Sequence, residues 1–305
     1  MRASHRHDTS GGRRLGLVAL LTGLFMLAEV AGGLLSGSLA LLADAGHMLV
    51  DFAALGLAWF AARLSHRPAD WRRTYGFDRF SILVAFVNGL ALFVIAAFIL
   101  VEAARRLYAP VEVAGPLMLA VAGAGLLVNL LAFRILRGAD RSNLNIRAAA
   151  LHVLGDLLGS LAAIAAALVI IFTGWTMADP LLSVLILALV LKNAWMVVGE
   201  SAHILLEGAP REIDSRTIGA DLEANVPGVE NVHHIHAWSI SQEQRMLTLH
   251  ARVSPDQRPE TVAAAVKQRL SDKFGINHAT VEVEFKECAD EAGPDHPGHG
   301  HSHTR

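Results

Sequence analysis

The sequence predicts an α-helical membrane protein of six transmembrane helices, followed by a small α+β domain. Three observations carry that reading. The 305 residues are 53% hydrophobic with a mean hydropathy of +0.42, too apolar for an ordinary soluble chain of this length. The apolar residues are concentrated before about residue 205, in six long runs. From Glu207-Gly208-Ala209-Pro210 onward the composition changes, and shorter helical and alternating patterns take over.

The six runs are approximately 15–36, 39–62, 80–103, 114–136, 146–173 and 178–199. Each reaches the roughly 20 residues that a helix needs to cross a bilayer. The first is too long, and too well followed by further spans, to be a cleaved signal peptide. Orientation follows from Lys and Arg near the span ends. Arg2, Arg6, Arg13 and Arg14 precede span 1; Arg63, Arg67, Arg72, Arg73 and Arg79 join spans 2 and 3. Arg134, Arg137 and Arg141 join spans 4 and 5, and Lys192 and Arg211 flank the exit of span 6. The opposite side has few, Arg105 and Arg106 being the exceptions. Both termini are therefore expected in the cytoplasm, with a bacterial inner membrane the best fit.

Beyond the membrane segments, residues 211–225 form an amphipathic helical pattern. Val232 to Ser239 and Met246 to Val253 read as strands around the turn Ser241-Gln242-Glu243-Gln244. Residues 259–274 read as a second helix, and Thr280 to Phe285 alternates as a half-buried strand does. The order α-β-β-α-β is that of a ferredoxin-like domain. The expected organisation is a cytoplasmic tail (1–14), a six-helix membrane domain (15–205), a cytoplasmic ferredoxin-like domain (206–286) and a disordered tail (287–305). The formal net charge of -2 gives no sign of nucleic-acid binding. A single cysteine, Cys288, excludes an intrachain disulfide and fits a reducing compartment. It reads equally as a spectator on the tail or as part of metal capture.

Two short motifs inside the apolar runs are the most informative. His47-Met48-Leu49-Val50-Asp51 lies in span 2 and His152-Val153-Leu154-Gly155-Asp156 in span 5. Each puts a histidine and an aspartate four residues apart, on one helix face. Spans 2 and 5 run in opposite directions, so antiparallel packing brings the two pairs face to face. Ionisable groups at bilayer depth are costly and mark functional sites. Two histidines and two aspartates also make a full tetrahedral set for a zinc-like dication, which relieves the repulsion between buried carboxylates. A helix-stabilising hydrogen bond at i, i+4, or a proton relay without metal, explains the carboxylates but not two histidines recurring at the same spacing. Asp44, three residues before His47, is expected to orient a ligating histidine. Gly46, Gly155, Gly159 and Ser160 flank the pairs and permit close helix approach. Asn145 and Arg147 stand at the entrance of span 5, as ion-path residues or interfacial anchors.

The run from Gly37 to Asp51, the run from Asn145 to Asp156, and Val232-His233-His234-Ile235-His236-Ala237-Trp238 resemble motifs of the cation diffusion facilitators, and the resemblance covers residues 14 to about 286. It implies a homodimer that exchanges cytoplasmic Zn²⁺, or a related dication, for protons by alternating access. By motif position it implies that His47, Asp51, His152 and Asp156 form the transport site, in a version that prefers zinc. It also implies a cytoplasmic site of His233, His250, His278 and Glu284, with Glu282 placed to bridge a second ion. His234 and His236 alternate to the other face from His233. Arg79 and Glu207 fall where relatives have an interdomain ion pair. The metal site that some members carry after span 2 is not expected, because the loop from Asp70 to Phe77 offers only Asp70, beside arginines.

The histidine-bearing ends, His5 and His7 at one and His296, His299, His301 and His303 at the other, suit weak, flexible metal capture or no role at all. Cd²⁺, Co²⁺, Ni²⁺ and Fe²⁺ stand as alternative cargoes. An intramembrane metallohydrolase would need a general base beside an open coordination position, and no His-Glu-x-x-His occurs, so no enzyme is expected. A membrane-anchored metal sensor would leave the buried ligand set unexplained.

Overall fold

The structure, a computed structural model, describes residues 9–65, 69–137, 144–241, 244–286 and 288. Residues 1–8 of the expected N-terminal tail and the histidine-bearing C-terminal tail, Cys288 apart, lie outside them, while residues 9–14, expected in that tail, begin the first helix. Six long helices come first: α1 (Thr9–Ser36), α2 (Leu39–Ser65), α3 (Phe80–Tyr108), α4 (Gly115–Arg137), α5 (Leu144–Thr173) and α6 (Ala178–Leu205). Among the described residues, α1, α3, α4, α5 and α6 hold stretches long and apolar enough, by length and composition, to cross a membrane. α2 carries Asp44, His47, Asp51 and Arg63 along its length. Several helices overrun the apolar runs that predict them, since a helix satisfies its own backbone beyond the hydrocarbon edge. The chain divides into two compact units, residues 1–64 with 84–198, and residues 65–83 with 199–305.

Within the first unit α1 packs on α4, and α4 on α5. Small residues permit this: a Cβ at Gly32 would lie 2.5 Å from Val121, and one at Gly125 would lie 2.7 Å from Phe25. A Cβ at either position would force its neighbour to move, whereas a Cβ at Gly155 would meet nothing within 4 Å. Leu41, Met118, Ala122, Ala167 and Ile170 close the core beside them.

One end of α2 is fastened by a buried polar cluster. Asp179, at the start of α6 and fully buried, accepts hydrogen bonds from Ser38 Oγ (2.6 Å), the Leu39 amide (2.7 Å) and the Ala40 amide (3.2 Å). It thus satisfies the first amides of α2, which have no partner inside the helix. Arg106 donates to the Gly37 carbonyl at 2.6 Å, to Glu102 at 3.1 Å and to Asp179 at 3.4 Å. Arg106 is buried, which explains one of the two arginines that stand out on the otherwise arginine-poor side: it is an internal brace, not an orientation signal.

The second unit holds α7 (Ser215–Asn225), β1 (Val229–Ser239), β2 (Arg245–Val253), α8 (Pro259–Phe274) and β3 (His278–Glu284), in the expected order. The sheet runs β1-β2-β3, with β1 antiparallel and β3 parallel to β2. Ile218, Leu222, Leu247, Leu249, Val266 and Leu270 fill the core between helices and sheet. Asp214 caps α7 by accepting from the Arg216 amide. Gly275 ends α8 in the left-handed region at φ 65°, and the Ile276 amide reaches back to the Leu270 carbonyl. Asp221 on α7 accepts a two-pronged bond from Arg269 at 2.8 Å and another bond from Lys273 on α8. Those hydrogen bonds hold its carboxyl well below the usual carboxylate range.

Candidate metal centres

The first centre lies between α2 and α5. One helical turn aligns His47 with Asp51, and another aligns His152 with Asp156. His47 Nε2 is 3.4 Å from Asp51 Oδ2, His152 Nε2 is 3.5 Å from the same oxygen, and His152 Nε2 is 3.7 Å from Asp156 Oδ2. The two rings meet edge to face with centroids 5.8 Å apart. His47, His152 and Asp156 each offer a ligand atom within 4.8 Å of the others. The helices are antiparallel here: Asp51 meets His152 while Asp44, seven residues earlier, faces Gly159, seven residues later. All four predicted side chains therefore converge. Asp156 is buried and His152 exposed, so the cluster opens on one side.

Asp44 does not serve as the expected orienting partner of a histidine. His47 Nδ1 is buried without a hydrogen-bond partner, and so is Oε2 of Glu29 on α1. Glu29 is 2% exposed. Glu29 is a residue the sequence reasoning missed, although a lone glutamate inside an apolar span was signal enough. Asn129 and Ser160, hydrogen-bonded at 3.4 Å, form a further buried polar contact between α4 and α5. The side chains of Asn145 and Arg147 lie outside the described residues.

The second centre is on the sheet of the C-terminal unit. His233 and His250 are direct cross-strand partners, and β3 brings Glu282 opposite His250. His250 Nδ1 lies 2.9 Å from Glu284 Oε1, and His233 Nε2 lies 3.1 Å from Glu284 Oε2. Cys288 returns to the same point, its Sγ 3.4 Å from His250 Nδ1. His233, His250, Glu284 and Cys288 each offer a ligand atom within 4.8 Å of the others. His233 Nε2 and Glu284 Oε2 are buried and lack hydrogen-bond geometry despite their separation, as suits donors turned toward a common cation. Burial pushes the Glu284 carboxyl up, but hydrogen bonds with Cys288 and His250 and the neighbouring histidine charges outweigh it and hold it below its ordinary value.

Two expectations are corrected here. His278 is not in the ligand group: it begins β3 opposite Met246, exposed, four residues and thus about 13 Å along the strand from Glu282. His234 does not alternate away from His233. A bulge between His233 and His236, with His234 at φ 48°, breaks the two-residue period. The His234 ring consequently lies 5.0 Å from that of His250. Glu282 stands 3.6 Å from His250 Nε2, the ring nitrogen turned away from Glu284.

Arg79 and Glu207 do pair, at 3.1 Å, on an exposed surface where such a contact contributes little. The Asp70 carboxylate accepts from the Arg72 and Arg73 amides, and those bonds lower its pKa. It is committed to its own turn.

Comparison with known proteins gives a consistent result. Residues 15–206 match the family model described as the cation efflux transmembrane domain, and residues 210–286 match the cation efflux protein cytoplasmic domain. The zinc transporter ZitB of Pectobacterium atrosepticum is 49% identical over 293 residues, covering 95% of this chain and 91% of that protein. ZitB of Escherichia coli is 47% identical over 308 residues, covering 99% and 97%. A cadmium, cobalt and zinc/H(+)-K(+) antiporter of Bacillus velezensis is 42% identical over 289 residues, covering 92% and 91%.

Proposed function

The chain belongs to the cation efflux, or cation diffusion facilitator, family of membrane transporters, and from that premise we propose that it expels Zn²⁺ from the cytoplasm in exchange for protons. The observation that carries this is the convergence of His47, Asp51, His152 and Asp156 from two antiparallel helices. Two imidazoles and two carboxylates neutralise a dication and match zinc's tetrahedral preference. The same four side chains bind protons when the metal leaves, so loading metal displaces protons and the site couples the two fluxes. Relatives named as zinc transporters support zinc as the cargo, and one named as a metal/H(+)-K(+) antiporter supports the exchange.

In this reading both termini are cytoplasmic, the protein sits in the bacterial cell membrane, and two copies associate through the C-terminal domain, for which the matching family model is a dimerisation domain. That domain binds metal through His233, His250 and Glu284, and bound metal stabilises the dimer and the cytoplasm-open state. The test is flux in proteoliposomes under a pH gradient, with Zn²⁺, Cd²⁺, Co²⁺, Ni²⁺ and Fe²⁺ in turn, comparing wild type with Asp156→Ala. Zinc flux that collapses without the gradient and is lost in the variant is the expected result. No zinc flux in wild type, or undiminished flux in the variant, overturns it.

A further inference from the structure

The C-terminal cluster holds a thiol where the family resemblance led one to expect His278. We propose that Cys288 is a thiolate ligand of the C-terminal metal site and, with His233, His250 and Glu284, closes a tetrahedral two-nitrogen, one-oxygen, one-sulfur set within a single copy of the chain. This rests on reading the domain as metal-binding, and it names a ligand that reading lacked.

The geometry suits the metal. Zinc binds cysteine sulfur at about 2.3 Å and histidine nitrogen at about 2.1 Å, so a tetrahedron of such ligands has edges of roughly 3.3–3.7 Å. Cys288 Sγ to His250 Nδ1 is 3.4 Å, His233 Nε2 to Glu284 Oε2 is slightly shorter at 3.1 Å, and all four ligand atoms lie within 4.8 Å of one another. The His233 ring is oriented by its neighbour. His233 Nδ1 is 3.0 Å from Asn231 Oδ1, so Nδ1 carries the proton and Nε2 keeps its lone pair for the metal. His250 turns Nδ1 toward both Glu284 Oε1 (2.9 Å) and Cys288 Sγ (3.4 Å), which makes it the ring nitrogen that faces the cluster.

Charge and burial agree. Glu284 and Cys288 are 7% and 6% exposed. A dication with one carboxylate and one thiolate is neutral, and that is how a buried ion is tolerated. Binding releases the thiol proton. Four protein ligands leave no open position, so the site retains its ion as structural zinc sites do.

The chain has one cysteine, which makes the test specific. The full-length protein in detergent is titrated with Co²⁺. A thiolate-to-cobalt charge-transfer band in the near ultraviolet is expected in wild type and is lost in Cys288→Ser. Zn²⁺ is expected to block maleimide alkylation of Cys288 in wild type, a protection lost in His250→Ala. Absence of the band, or alkylation indifferent to Zn²⁺, overturns the assignment. If the band is absent but a His233→Ala/His250→Ala variant still binds one Zn²⁺ fewer per chain than wild type, the assignment of Cys288 falls alone. If that variant binds as many, the reading of the domain as metal-binding falls with it.

Discussion

The two histidine–carboxylate clusters differ first in what holds their ligands apart or together. In the membrane unit the ligands ride on two separate helices, and each helix contributes one histidine and one aspartate. In the C-terminal unit three ligands sit on hydrogen-bonded strands whose register fixes their spacing, and the fourth follows immediately after β3. A helix pair can slide or tilt without breaking a backbone hydrogen bond, whereas a sheet cannot. The first architecture suits a cargo that must be released, and the second an ion that stays. The ligand types point the same way, with protonatable carboxylates in one and a single carboxylate with a thiol in the other.

The largest effect expected from this contrast is on transport. Asp156→Ala should abolish zinc flux, while His250→Ala should leave measurable flux and lose one bound Zn²⁺ per chain. Equal loss of flux in both variants, measured in the same vesicles, would erase the distinction between a moving and a resident ion. Next comes the brace at the start of α2. Asp179→Ala removes one of the three partners of Arg106 and uncaps α2, a loss of about 1–2 kcal/mol by the usual cost of a missing helix cap. A thermal unfolding midpoint in detergent that does not fall would show that α2 is held by packing alone. Asp221→Asn should loosen α7 from α8, read as faster amide exchange in α7 relative to wild type at neutral pH. Because the folded-state pKa of Asp221 is depressed, its contribution is present above the unfolded value near 4 and fades as the pH falls below it. The difference between variant and wild type should therefore shrink in acid, and a difference that grew would contradict the assigned ion pairs. The smallest effect belongs to Gly275→Ala, which puts a Cβ in the left-handed region and should lower the stability of the C-terminal domain by about 1 kcal/mol, measured by denaturant unfolding.

The sequence discloses the membrane cluster more fully than the other because its geometry is local. A four-residue spacing on a helix determines which side chains share a face, and two such pairs on oppositely directed spans leave little else to decide. The α-β-β-α-β order was legible for the same reason, from periodicity and turns. The C-terminal ligands depend on register and on a bulge. Nothing near His234 signals its positive φ, since bulges of this kind usually advertise themselves with glycine. The parallel pairing of β3 that removes His278 from the site, and the return of Cys288 to it, are tertiary facts. Arg106 looked like an orientation signal because burial is invisible in a count of charges. Glu29 was the avoidable omission.

The fastening of α2 by Asp179 and Arg106 has a mechanical meaning. It makes the first turn of α2 a fulcrum and the rest of the helix a lever. At 1.5 Å per residue, His47 lies about 12 Å and Asp51 about 18 Å from that pivot. A tilt of about ten degrees then carries His47 roughly 2 Å and Asp51 roughly 3 Å. Asp51, whose single oxygen now stands between both histidines, travels farthest, so a small swing of one rod opens the cage without bending any part of it.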